Sequence, residues 1–115
     1  MSLDIDLYAP AQCPHCGSAL PRVEEVGKNI THNVAGMWQK AGVYSALYES
    51  DGLTITPEYI AVIEQGVAAM ERDFDEYRKL DTPNGWGTAI QALPWLKEWL
   101  EACRRNVGAQ IHVSR

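Results

Sequence analysis

A chain of 115 residues with 46% hydrophobic content is long enough for one packed domain and too apolar for a disordered segment. A net charge of -5 with scattered basic residues argues against phosphate-backbone binding, so no nucleic-acid partner is expected. No apolar stretch reaches bilayer length, and the N-terminus carries Asp4 and Asp6 instead of a basic leader, so the expectation is no membrane association and a cytoplasmic location.

Three cysteines, an odd number, suit a reducing compartment better than a disulfide framework. Four Trp and five Tyr stand against one Phe, so the aromatics carry polar atoms that want partners when buried.

Residues 3–8 alternate apolar and polar, which predicts a strand with Leu3, Ile5 and Leu7 inward and Asp4 and Asp6 outward. Residues 9–21 hold Pro10, Pro14 and Pro21 and predict a loop. Residues 22–32, with Val23, Val26 and Ile30, predict a second strand or irregular ribbon with a bulge at Gly27. Asn33 is then a candidate N-cap for a helix over residues 34–40, with His32 just ahead of it and Val34, Met37 and Trp38 facing the core. Gly42 ends that helix, residues 43–49 form a short turn-rich piece, and Asp51-Gly52 turns the chain into a brief extended segment.

The next helix has a clear start, with Thr56 as cap, Pro57 in the first turn and Glu58 at the positive end of the dipole. Its apolar stripe of Ile60, Ile63, Val67, Met70, Phe74 and Tyr77 predicts about five turns. Residues 81–87 break the pattern with Asn84-Gly85-Trp86-Gly87. A third helix starts at Thr88, with Gln91 completing a capping box, and carries Ala89, Ala92, Leu93, Leu96, Trp99, Leu100 and Cys103. Pro94 either kinks it or restarts it, and Gly108 suits its C-terminal cap. Residues 110–114 alternate again and are expected to pair with the first strand. The fold class is α+β: a small, mainly antiparallel sheet with about three helices packed on one face.

Two constellations carry chemistry. In Cys13-Pro14-His15-Cys16-Gly17, two thiolates can be directed at one zinc, whose structural sites need four ligands. His32 is the best third candidate; Cys103 or His112 can complete the set only if the fold brings them close, and Cys103 reads as a buried core thiol. Plain turn thiols and redox chemistry are the other readings. A strand followed by Cys-Pro-His-Cys resembles the start of thioredoxin-like oxidoreductases. That resemblance implies Cys13 as attacking thiol and Cys16 as resolving thiol, hence a thiol–disulfide oxidoreductase as the alternative function. It covers only the first twenty or so residues, Pro21 cuts short the helix it requires, and no second βα unit or proline before a strand follows.

The second constellation is a candidate ligand-binding surface of His32, Asn33 and Trp38 at one helix start and Asn84 and Trp86 at another, suited to an anion, a sugar or a peptide. Its bland counterpart is Trp86 plugging the core edge while Asn84-Gly85 turns the chain. Glu24-Glu25 and Asp73/Asp75 read as solvated charges instead of catalytic pairs, and neither a nucleophile motif nor a phosphate loop occurs.

Asp4-Ile5-Asp6-Leu7-Tyr8, Thr31-His32-Asn33 with Met37-Trp38, Asn84-Gly85-Trp86-Gly87, Cys103-Arg104 and the ending Val113-Ser114-Arg115 resemble a group of small proteins from actinobacteria and their phages. The group has no established activity, and its Cys-x-x-Cys loop varies. The resemblance implies a small accessory protein, phage-borne in that setting. The combined expectation is an accessory or binding protein, leaning away from an enzyme. Its partner is a protein, a small molecule or, through surplus aromatic surface, a second copy of the chain.

Overall fold

Apolar alternation at the two ends of the chain builds the sheet. In the computed structural model, which describes residues 2–12, 19–83, 85 and 87–114, β1 (Ser2–Gln12) is central, with β2 (Ala19–Thr31) on one side and β3 (Gln110–Ser114) on the other, all antiparallel. Leu3, Ile5 and Leu7 are fully buried on one face and Asp4 is exposed on the other, as a period of two requires. Ile111 joins the buried face from β3. The register shifts between Ile5–Lys28 and Leu7–Glu24, leaving Glu25, Val26 and Gly27 opposite Asp6, so the irregularity falls where Gly27 predicted it.

The strands run further than expected. Residues 9–12 and 19–21, read as loop from their prolines, are paired, with Pro10 opposite Pro21. Two prolines can face each other only at a non-hydrogen-bonded pair, where the missing N–H groups would point away from the partner strand. Among the described residues both outer edges are open there, because β3 pairs only with Asp4 to Tyr8 and β2 is the sheet's edge.

Among the described residues the helical layer contains two long helices and three short ones: α1 (Ala35–Ala41), α2 (Tyr44–Tyr48), α3 (Pro57–Arg72), α4 (Phe74–Arg78) and α5 (Ala89–Arg105). Thr56 caps α3 by accepting from the Tyr59 N–H at 3.2 Å, with Pro57 in the first turn. Gly42 ends α1 at φ 78°, a conformation that costs glycine little. The expected five-turn helix is divided at Asp73, where φ/ψ leave the helical region and the Asp73 carbonyl accepts from Glu76 to start α4. Aspartate is a poor interior helix residue because its side chain competes locally; here Asp73 receives both Arg72 Nε and Nη2. Pro94 lies inside an unbroken α5, so the single-helix alternative holds.

Residues 52–55 run beside β3. Gly52 N–H donates to Ile111 O, Ile111 N–H to Leu53 O, Ile55 N–H to Ala109 O and Gly108 N–H to Ile55 O. Gly108 therefore turns the chain into β3, and Asn106, not Gly108, is the C-cap of α5. Between sheet and helices lies one core, with Trp38, Trp99, Tyr77, Met37, Leu47 and Met70 among its largest buried side chains.

Candidate functional site

The turn from sheet to helices is built differently from its expected form. Thr31, the last residue of β2, is extended, and its Oγ1 accepts from the Asn33 N–H at 3.3 Å. His32–Val34 form a single 3-10 turn, and α1 begins at Ala35 with Val34 as a cap residue lacking a side-chain bond. Asn33 is therefore not the N-cap: the strand ends at Thr31, so the cap conformation and its hydroxyl arrive two residues early.

His32 is half-buried, and its Nδ1 hydrogen-bonds the Tyr48 hydroxyl at 2.7 Å. Tyr48 in turn stacks on Tyr44, with centroids 4.6 Å apart and planes 10° from parallel. This His32–Tyr48–Tyr44 row was not foreseen. The spacing of four between the tyrosines was the available signal, since it puts both on one face of α2.

Gly87 lies against the first part of the predicted surface. A Cβ built on Gly87 would stand 2.7 Å from the Asn33 Cβ and 3.3 Å from the Thr31 Cγ2, so this backbone lies directly on residues 31–33. Its φ of 106° also favours glycine. Asn84 and Trp86 lie outside the described residues. Trp38 has no exposed surface, so it stands behind the surface and not on its lip. Met37 of α1 and Val34 just ahead of it are buried beside it in the core.

The helix start at Thr88 is occupied by its own chain. Thr88 Oγ1 accepts from Gln91 N–H, Gln91 Oε1 accepts from Gly87 and Thr88 N–H, and Asp81 Oδ1 accepts from Ala89 N–H at 2.8 Å. The Thr88, Ala89 and Gln91 N–H groups at this helix start are thus bonded within the chain.

Of the zinc set Cys13, Cys16 and His32, only His32 is among the described residues. The β1–β2 ladder has Ser2–Thr31 at one end and Gln12–Ala19 at the other, roughly 30 Å apart at about 3.3 Å per residue. His32 follows the first end. Cys13 and Cys16 lie outside the described residues. His112 sits on β3 opposite Asp6, with Nδ1 3.3 Å from Asp51 Oδ1. Cys103 is fully buried, and burial pushes its thiol up to about 12. Among the described residues, no group of three or more His, Cys, Asp or Glu is placed to hold a metal.

The thioredoxin-like arrangement also differs from what forms. The chain after the Cys-x-x-Cys segment enters strand β2, whereas that family needs a helix whose N-terminus acidifies the first thiol.

Elsewhere, α3 and α5 flank a groove of about 470 Å³ with Val67, Ala68 and Leu100 in its lining. Ion pairs from Arg104 to Glu64 at 3.0 Å and from Lys97 to Glu71 at 3.3 Å join its sides, so its charges are met internally. Among the described residues no helix is long and apolar enough to cross a membrane. Comparison with protein-family models, curated proteins and solved structures found no match to this chain.

Proposed function

We propose that this chain is a small accessory protein, phage-borne in the setting its sequence resemblance implies. It would bind a protein or peptide partner where residues 31–33 meet the loop carrying Asn84 and Trp86. The observation that supports this reading is the close approach of Gly87 to Asn33, which joins two segments more than fifty residues apart in the chain. His32, held by Tyr48, and exposed Asn33 supply polar contacts there. An extended peptide suits it better than an anion, because the α5 donors are already bonded.

Peptides selected from a random display library on the intact protein provide the test. Trp86→Ala is expected to weaken them by roughly tenfold or more, as removal of an interface anchor does, with an unchanged melting temperature. Arg72→Ala, an exposed change on α3, is expected to leave affinity unchanged. Equal binding by all three proteins, or no selectable peptide, would overturn the reading. A dimer in sedimentation that Trp86→Ala dissociates would make the partner a second copy of the chain.

The Cys13/Cys16 segment is assigned a separate role as a tie that zinc closes. The pairing of Gln12 with Ala19 favours it, because it holds the two ends of the cysteine-bearing segment together. Protein purified without chelator is expected to contain zinc and to show two thiols protected until a chelator is added. Cys103 is expected to react only on unfolding, since its buried thiol stays protonated at neutral pH. Metal-free protein with two fast thiols would remove zinc and leave the oxidoreductase alternative, which insulin reduction tests directly.

A further inference from the structure

Asp51-Gly52 is a chemically reactive pair that the fold holds under restraint. An aspartate followed by glycine is open to ring closure, because glycine has no side chain to shield its nitrogen. The Asp51 side chain is 63% exposed, so water reaches it. Yet both groups that such a closure would join are tied to β3. Asp51 Oδ1 accepts from the Val113 N–H at 2.9 Å and lies 3.3 Å from His112 Nδ1. Gly52 N–H donates to the Ile111 carbonyl at 2.8 Å.

These contacts form one clasp. The Gly52–Ile111 bond and its neighbour from Ile111 N–H to Leu53 O, also 2.8 Å, join the turn to β3 as rungs of a ladder. For Val113 the Asp51 carboxylate then takes the place of the next backbone acceptor. While the clasp is closed, the Gly52 nitrogen is committed to Ile111 and the carboxylate to Val113, so the nitrogen is kept from turning onto Asp51 Cγ. Opening the clasp requires only local release of a five-residue strand, which is a smaller event than global unfolding.

We propose that Asp51-Gly52 is a self-modification site gated by β3: it converts to isoaspartate when β3 leaves the turn and is preserved while β3 is docked. The chemistry needs only water. The Gly52 nitrogen forms a bond to Cγ of the neutral Asp51 carboxyl and gives up its proton, the Cγ–OH bond breaks, and proton and hydroxyl leave together as water. Water then reopens the ring at either carbonyl, and a proton returns to the Gly52 nitrogen. Breaking the nitrogen's bond to Cγ restores aspartate. Breaking its bond to the main-chain carbonyl carbon routes the backbone through the side chain and gives isoaspartate. That product has one more main-chain carbon and a displaced carboxylate, so the bond to Val113 is not remade as before and β3 docks less firmly. The inference does not depend on the peptide surface proposed above.

The test incubates the intact protein at neutral pH, folded and in guanidinium, and maps isoaspartate at residue 51 by peptide fragmentation, since the mass is unchanged. Asn84-Gly85, the other pair of this kind in the sequence, reports through its gain in mass on deamidation that the guanidinium conditions sustain such chemistry. Isoaspartate at residue 51 is expected to accumulate at least several-fold faster in the unfolded chain. Val113→Pro, which removes the donor to Asp51, is expected to raise the rate in the folded protein several-fold while the melt stays cooperative. If that variant does not fold, low guanidinium replaces it, and conversion is expected to accelerate in step with deuterium exchange of the Gly52 amide. A folded protein that converts at the unfolded rate overturns the proposal. So does an unfolded chain that keeps Asp51 intact while Asn84 deamidates, or a folded Val113→Pro protein that converts as slowly as wild type.

Discussion

Trp99→Ala is expected to lower the unfolding free energy by about 3–5 kcal/mol in urea denaturation, the usual cost of removing a large buried aromatic. Trp99 has no exposed surface and lies on the core face of α5 with Leu96, Leu100 and Cys103. Its loss leaves a cavity between α5 and α3 that surrounding side chains fill only in part. It also strips the Tyr59 hydroxyl of a donor in a place where burial raises the phenol pKa above its ordinary value and keeps it protonated. Against a total of roughly 6–17 kcal/mol for a domain of this length, the change is large. Trp99→Phe separates the two contributions, because it retains most of the ring volume and loses the hydrogen bond, for an expected cost of about 1–2 kcal/mol. A Trp99→Ala variant within about 1 kcal/mol of wild type would contradict this packing.

Gly66→Ala is expected to destabilise the protein by about 1–3 kcal/mol, the common penalty for overpacking a core. Helix propensity argues the opposite way by about 1 kcal/mol, since alanine is the better residue inside a helix. The packing decides. A Cβ on Gly66 would stand 2.3 Å from Val43 Cγ1 and 3.6 Å from the Ala41 carbonyl. Val43 is fully buried and β-branched, so it cannot rotate away cheaply. Gly66 is what allows α3 to lie against the junction of α1 and α2. Combining Gly66→Ala with Val43→Ala is expected to recover part of the loss, giving a coupling of about 0.5–3 kcal/mol in a double-mutant cycle. Thermal melting checks both, and a Gly66→Ala protein that melts above wild type would show this contact to be loose.

The candidate site was partly legible before folding. Thr31-His32-Asn33 and Asn84-Gly85-Trp86-Gly87 drew notice through their turn residues and aromatics, and the fold sets Gly87 against Asn33. Asn33 and Thr31 are both good caps, and where β2 stops decides between them. His32 was offered as a zinc ligand on the premise that the second strand returns past the cysteine loop. In the structure His32 follows the Ser2–Thr31 end of the ladder and hydrogen-bonds Tyr48. Trp38 read correctly as a core residue and incorrectly as part of the binding lip, since one ring cannot serve both at full burial.

The sequence by itself determined whatever depends on neighbours a few residues away. The alternation that buries Leu3, Ile5 and Leu7, the Thr56-Pro57 start of α3, the Thr88/Gln91 capping box and the Gly42 stop are hydrogen bonds and periodicities closed within one or two turns. The tertiary structure alone decided the pairing of Pro10 with Pro21, the docking of residues 52–55 beside β3, the seating of Gly87 on Asn33 and the His32–Tyr48 bond. Each joins segments that no local pattern relates. Their partners are selected by which surfaces the packed helices and sheet bring into contact, and that selection is a property of the whole core.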